Sequence, residues 1–217
     1  MLRNPHGAAG AEWNGDWSDS STNWNQRTKG KLKYVPRDHE DGVFWMDIFD
    51  FTQQFSYLYV CRILSESNGW KMTKFKQSWK GDYAEGLPSR AYPQAILSKN
   101  PQYSIVVNKP VDAFIMLKQF EPDPTTQSTF KGKQNIMFMV QQVNPNTDKR
   151  ITKVDKEALV GRSGNPINLA TVSAEVNLPK AGTYSILVAN TNHGAAGEGT
   201  FELRVYANDM QAPVTSL

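Results

Sequence analysis

The chain has 217 residues, 39% of them hydrophobic and 21% charged, with a net charge of +3, which is the balance of a folded globular protein. No apolar run approaches the roughly 18 residues of a membrane helix, no signal-type pattern is written at residue 1, and no Lys/Arg block or nucleic-acid motif occurs, so a dedicated nucleic-acid binder is excluded. A single cysteine excludes an internal disulfide and points to a reducing, cytoplasmic setting.

Charge is spread unevenly. Residues 1–60 hold eight acids and six bases, net −2, and the remainder holds 13 acids and 18 bases, net +5. An imbalance that mild still permits docking on anionic surfaces.

In chain order, the stretch NPHGAAGAEWNGDWSDSS (4–21) comes first. It gathers Asn4, His6, Glu12, Asp16 and Asp19 beside Trp13 and Trp17, and residues 1–42 as a whole show little apolar periodicity. MDIFDFTQQF (46–55) is long enough only for a brief helix. YLYVCRIL (57–64) reads as a strand with Cys61 as a small buried thiol inside it. KMTKFKQSWK (71–80) reads as an amphipathic strand, with Lys74 and Lys76 on one face by period two and Lys71 and Lys80 nearby. Those lysines suit acidic phospholipid heads, and they suit an ordinary wet strand face equally well.

Further strands are expected at YSIVV (103–107), DAFIMLKQF (112–120), NIMFMVQQV (135–143), LATVSAEVNL (169–178), GTYSILVA (182–189) and GTFELRVYA (199–207). Turn signals such as EPDP, NPNTD and SGNP separate them. In the last strand Phe201, Leu203 and Val205 alternate with Glu202 and Arg204, giving one apolar and one wet face. Many short strands with no long helical period between them imply a mainly β fold, an antiparallel sandwich. No internal repeat, low-complexity segment or EF-hand loop is present.

RNPHG, then EWNGDWSD, then HEDGVFWM, then a β-rich tail ending GTYSILVAN and GTFELRVYA, together resemble the calpain family of papain-like cysteine proteases, in a plant- or protist-like form. The resemblance covers essentially the whole chain. It implies that residues 1–55 are a short remnant of the α+β protease core and that residues 56–217 are the calpain-type β-sandwich.

The resemblance also implies roles. Calpains use a Cys–His–Asn triad, and the asparagine corresponds to Asn4, whose side-chain oxygen would orient the catalytic imidazole. Read alone, Asn4-Pro5 is equally a turn. His6 stands where the family has a tryptophan shielding that hydrogen bond. The family's general-base Gly-His motif is absent, neither His39 nor His193 has its context, and Cys61 is no nucleophile. The expectation is therefore a C-terminal fragment of a calcium-dependent endopeptidase. Protein substrates would be reached through the rest of the protease core, and the 217 residues themselves would be inactive.

A family calcium site would fall on Glu12, Asp19 and Asp41, with His39 contributing a backbone carbonyl. Calcium takes about six to eight oxygens, and Val43 replaces an expected carboxylate, so Ca2+ binding should be weak, in the roughly 10⁻⁴ to 10⁻³ M range. A solvated acidic loop is the competing reading of the same residues. A second function class stays open beside proteolysis: a non-catalytic regulatory sandwich binding phospholipid or a protein partner. The six tryptophans also raise a carbohydrate-binding sandwich, but four of them fall in or beside the calpain-like blocks, where packing accounts for them.

Overall fold

A computed structural model describes residues 1–7, 12–35, 41–120, 134–147, 149–208 and 214–217. His39 and the whole stretch EPDPTTQSTFKGK (121–133) lie outside the described residues. The chain forms two compact units, Met1–Arg62 and Ile63–Leu217.

The first unit holds β1 (Leu2–Arg3), α1 (Gln26–Leu32), β2 (Val43–Phe44) and α2 (Ile48–Gln54). β1 and β2 pair antiparallel, Leu2 opposite Phe44 and Arg3 opposite Val43. α1 buries none of its residues, so local chemistry must hold it. Asn25 caps it in a reciprocal box: the Asn25 side chain accepts from the Thr28 N–H, and Thr28 Oγ1 accepts from the Asn25 N–H. At the other end Lys33 turns left-handed (φ 50°), with Lys33 N–H donating to Gly30 O and Tyr34 N–H to Lys29 O. That is a Schellman turn, and it delivers Tyr34 into the unit. α2 occupies the brief helix expected from 46–55, with the Asp47 side chain accepting from the Asp50 N–H.

The run at 57–64 departs from expectation. It forms no strand, and Tyr57, Leu58, Tyr59, Val60 and Ile63 are exposed. A strand exists only through bonds to a neighbour, and no described segment pairs with this one. Cys61 is accordingly exposed, not buried. The compact units divide within this run, after Arg62, downstream of the boundary at residue 55 that the resemblance implies.

The second unit is the sandwich. It contains β3 (Lys71–Trp79), β4 (Gln102–Val107), β5 (Val111–Gln119), β6 (Ile136–Val143), β7 (Leu159–Arg162), β8 (Thr171–Leu178), β9 (Gly182–Asn190), β10 (Gly199–Ala207) and β11 (Thr215–Ser216). One sheet has the order β3-β10-β5-β8 and the other β11-β4-β9-β6-β7. Every pairing within them is antiparallel.

Between the sheets lies the main core. β10 contributes Phe201, Leu203 and Val205, β5 Ala113, Ile115 and Leu117, and the facing sheet Tyr103, Ile105, Phe138, Tyr184 and Ile186. Gly161 of β7 has Val176 of β8 against it: a Cβ there would meet the valine side chain at 2.7 Å, so the two edge strands approach only because this residue has no side chain.

A second apolar cluster sits apart from the first: Leu97, Met137, Met139, Ile151, Leu187 and Ala189. It covers the outer face of β6 and β9, which explains why these two strands read as nearly unbroken apolar runs instead of alternating. Buried amides tie the covering loops down. Gln102 donates to Leu97 O (3.2 Å) and Ile151 O (3.0 Å) and accepts from Ile151 N–H (2.6 Å). Gln119 donates to Gln134 O and Leu169 O and accepts from Gln134 N–H. Each such bond satisfies a backbone group that burial would otherwise strand.

Candidate functional site

Asn4 follows β1 directly. Its N–H donates to Gly42 O at 2.7 Å, and its own carbonyl accepts from Gly7 N–H at 3.1 Å. Its side-chain Oδ1 accepts from the His6 N–H at 3.0 Å. This is an Asx turn closing over Pro5, the turn that Asn4-Pro5 suggests when read alone. An amide oxygen has two lone pairs, and the second remains for an incoming N–H. The His6 side chain is exposed.

Gly42 joins this turn to the acidic groups. It has a φ of +82°, and a Cβ there would lie 2.9 Å from Asn4 O and from Gly7 Cα, so glycine is required both for conformation and for space. While its carbonyl holds Asn4, its N–H donates to Glu12 Oε1. Asp41 Oδ1 accepts from the Val43 N–H at 2.9 Å. Asp19 Oδ1 accepts from the Tyr34 hydroxyl.

Tyr34 is buried and stands at the centre of an aromatic group. Its ring centroid lies 4.9 Å from Trp24 and 5.9 Å from Trp45, with Trp24 a further 5.1 Å from Trp17. Trp17 adopts φ 63°, unusual for a bulky residue, and Trp24 Nε1 donates to Ser18 O at 2.7 Å. Burial is the first cause raising the Tyr34 hydroxyl above the ordinary tyrosine range. The hydrogen bond to Asp19 and the charges of Asp19, Asp41 and Glu12 follow. All three carboxylates singled out in the sequence thus act on one hydroxyl. Asp16 gives its carbonyl to Trp13 Nε1 at 2.7 Å, a packing contact.

As placed, this set does not fit calcium. Among the described residues, each of the three carboxylates accepts from a protein donor, and the Val43 side chain has no oxygen. Among the described residues, no three His, Cys, Asp or Glu side chains are grouped to hold a metal.

Cys61 lies exposed in irregular chain with no helix beginning at it, so it lacks the helix N-terminus that activates a nucleophilic thiol.

On the sandwich, the outward positions of the four-stranded sheet form rows across β3, β10 and β5. One row is Lys76, Glu202, Lys118 and the next Lys74, Arg204, Met116. Glu202, expected to be wet, is buried. Arg204 Nε donates to Glu202 Oε1 at 2.5 Å, and a hydrogen bond to Tyr206, then this one, holds the guanidinium pKa above its usual value. The Lys76 and Lys118 ammoniums stand 5.3 Å and 5.1 Å from the Phe120 ring centroid. Trp79 is a core residue, 4.5 Å from Phe201, and so offers no sugar platform.

The sequence reading missed Tyr34, Lys118 and Phe120. Tyr34 sits in KLKY, with no periodicity around it. Lys118 becomes a neighbour of Lys76 only through the strand order.

A family model described as calpain family cysteine protease matches residues 1–62, and one described as calpain large subunit, domain III matches residues 75–206. Calpain-type cysteine protease ADL1 of Oryza sativa subsp. japonica is 40% identical over 124 residues, 55% of this chain and 5% of that protein. Calpain-8 of Mus musculus is 30% identical over 231 residues, 95% of this chain and 32% of that protein. The Calpain-2 catalytic subunit of Bos taurus is 37% identical over 111 residues, 48% of this chain and 15% of that protein. The chain thus spans at most 32% of the length of these three relatives.

Proposed function

Since the chain belongs to the calpain family of cysteine proteases, we propose that it serves intracellular limited proteolysis as the asparagine-bearing and β-sandwich part of a calpain-type endopeptidase. The carrying observation is the Asn4 turn fixed on Gly42, which presents one amide oxygen on a rigid frame. Asn4 accepts the N–H of the catalytic imidazole, sets its tautomer and keeps the other ring nitrogen toward the thiol. The histidine and cysteine are not among this chain's residues, because His6, His39, His193 and Cys61 lack the required context. The 217 residues alone therefore do not cleave peptides, since a triad works as a unit.

A chimera tests this. In mouse Calpain-8 the segment matching this chain is replaced by this chain. The chimera should hydrolyse casein, and Asn4→Ala within it should lower kcat at least about tenfold at unchanged KM. A chimera indifferent to Asn4→Ala, or thiol-dependent hydrolysis by the 217-residue chain alone, would overturn the assignment.

The outer sheet face supports a second role, docking on acidic phospholipid at a cytoplasmic membrane surface. Lys74, Lys76, Lys118 and Arg204 share that face with Glu202, and Asp112 and Glu175 lie farther along it, so the positive excess is concentrated in the rows of Lys76 and Lys74. Basic groups at an anionic bilayer contribute about 1 kcal/mol each. Lys76→Glu and Lys118→Glu should each weaken sedimentation with phosphatidylserine vesicles about fivefold or more. Equal binding to phosphatidylcholine vesicles would contradict this role.

A further inference from the structure

We infer that Tyr34 and the backbone of residues 42–43 close the Glu12–Asp19–Asp41 cluster, so that the first unit is held together by protein donors where a calcium ion would otherwise be needed. Three carboxylates that all act on the Tyr34 hydroxyl disfavour one another's charge and are eased by hydrogen-bond donors. Here each finds a donor within the chain: Gly42 N–H for Glu12, Val43 N–H for Asp41 and the Tyr34 hydroxyl for Asp19.

Two of the donors are held by contacts that do not involve the acids. Tyr34 is set by the Schellman turn of α1 and by its contacts with Trp24 and Trp45. Gly42 is set by the β1–β2 pair and by the Asn4 carbonyl contact that excludes a Cβ. Val43 is the residue that commits the site. A carboxylate there would add a fourth negative charge and call for a cation, whereas valine leaves the charge low enough for neutral donors to balance. The lock also reaches the Asn4 turn, since Gly42 holds Glu12 with its N–H and Asn4 with its carbonyl. The geometry stands whether or not Asn4 orients a histidine.

The experiment uses the full 217-residue chain, with emission from the Trp17–Trp24–Trp45 group and amide exchange of residues 12–45 as readouts. Wild type should respond identically in chelator and in calcium up to ~1 mM, the weak end of protein affinities. Tyr34→Phe removes the donor but keeps the ring. It should loosen the segment, with red-shifted emission and faster exchange, and calcium should reverse part of that change. Asp19→Asn separates lock from metal site without depending on the folding of Tyr34→Phe. Its amide oxygen still accepts from Tyr34, so emission and exchange should stay as in wild type. Calcium binding by wild type at or below ~1 mM that Asp19→Asn abolishes would overturn the inference. So would a Tyr34→Phe chain indistinguishable from wild type in both readouts.

Discussion

Single buried polar side chains decide more here than the hydrophobic pattern suggests. Gln102 satisfies backbone groups of both Leu97 and Ile151. Gln102→Leu would strand them, at a cost of about 2 kcal/mol, and thermal unfolding should fall by about 4–8 °C. Tyr103 supplies a pH effect of definite sign. It is fully buried, its hydroxyl donates to Gln77 Oε1, and burial raises its pKa above the ordinary 10.0. Below that value native and unfolded chains both hold the proton, so it contributes no pH dependence. As pH rises past about 10 the unfolded chain ionises and the native one does not, and stability falls by up to about 1.4 kcal/mol per pH unit. Urea titrations across that range should show a shallower loss for Tyr103→Phe. The resemblance to calpains, not spacing or periodicity, singled out Asn4, Glu12, Asp19 and Asp41; Gly42 links Asn4 with Glu12, and the three acids act on the Tyr34 hydroxyl. Their donors were not readable, because a hydroxyl from 15 residues away meets Asp19 only after α1 has turned.

Strands with a clean alternation were legible, and segments stabilised by something other than periodicity were not. β10 shows its core face as Phe201, Leu203 and Val205. Phe201→Ala should cost about 3–5 kcal/mol by calorimetry, because the ring also packs on Trp79. Its partner face misled, since Arg204 and its neighbours cover Glu202. α1 has no apolar stripe and left only its capping box as a signal, Asn25 with Thr28 three residues on. Asn25→Ala should cost about 1 kcal/mol and, through Tyr34, raise amide exchange at Gly42. The apolar run at 57–64 misled in the opposite direction. Its composition is that of a strand, but strand composition without a partner yields exposed chain.

At the scale of the molecule, the two units are joined through that exposed run. Tyr57, Leu58 and Tyr59 are 79%, 70% and 91% exposed, so brief chymotrypsin treatment should cut there first and release a sandwich beginning near residue 60. N-terminal sequencing and mass of the resistant fragment would check this. Cleavage inside β4–β10 at a comparable rate would contradict it. The sandwich class was legible because most of its strands carry their own signal. The division between units was less so, because texture changes near residue 42 and the resemblance sets the boundary at residue 55, while contacts change at residue 62.

The same join has a mechanical meaning. Force applied to the first unit enters the sandwich just before Lys71, at the end rung of the nine-residue ladder between β3 and β10. β3 is an edge strand, so a load directed away from the sheet breaks that ladder one bond at a time instead of all at once. Under a load so directed the sandwich should peel from β3 first, baring the edge of β10. A molecule so built yields when it is tugged at its first strand, however resistant its core is to heat.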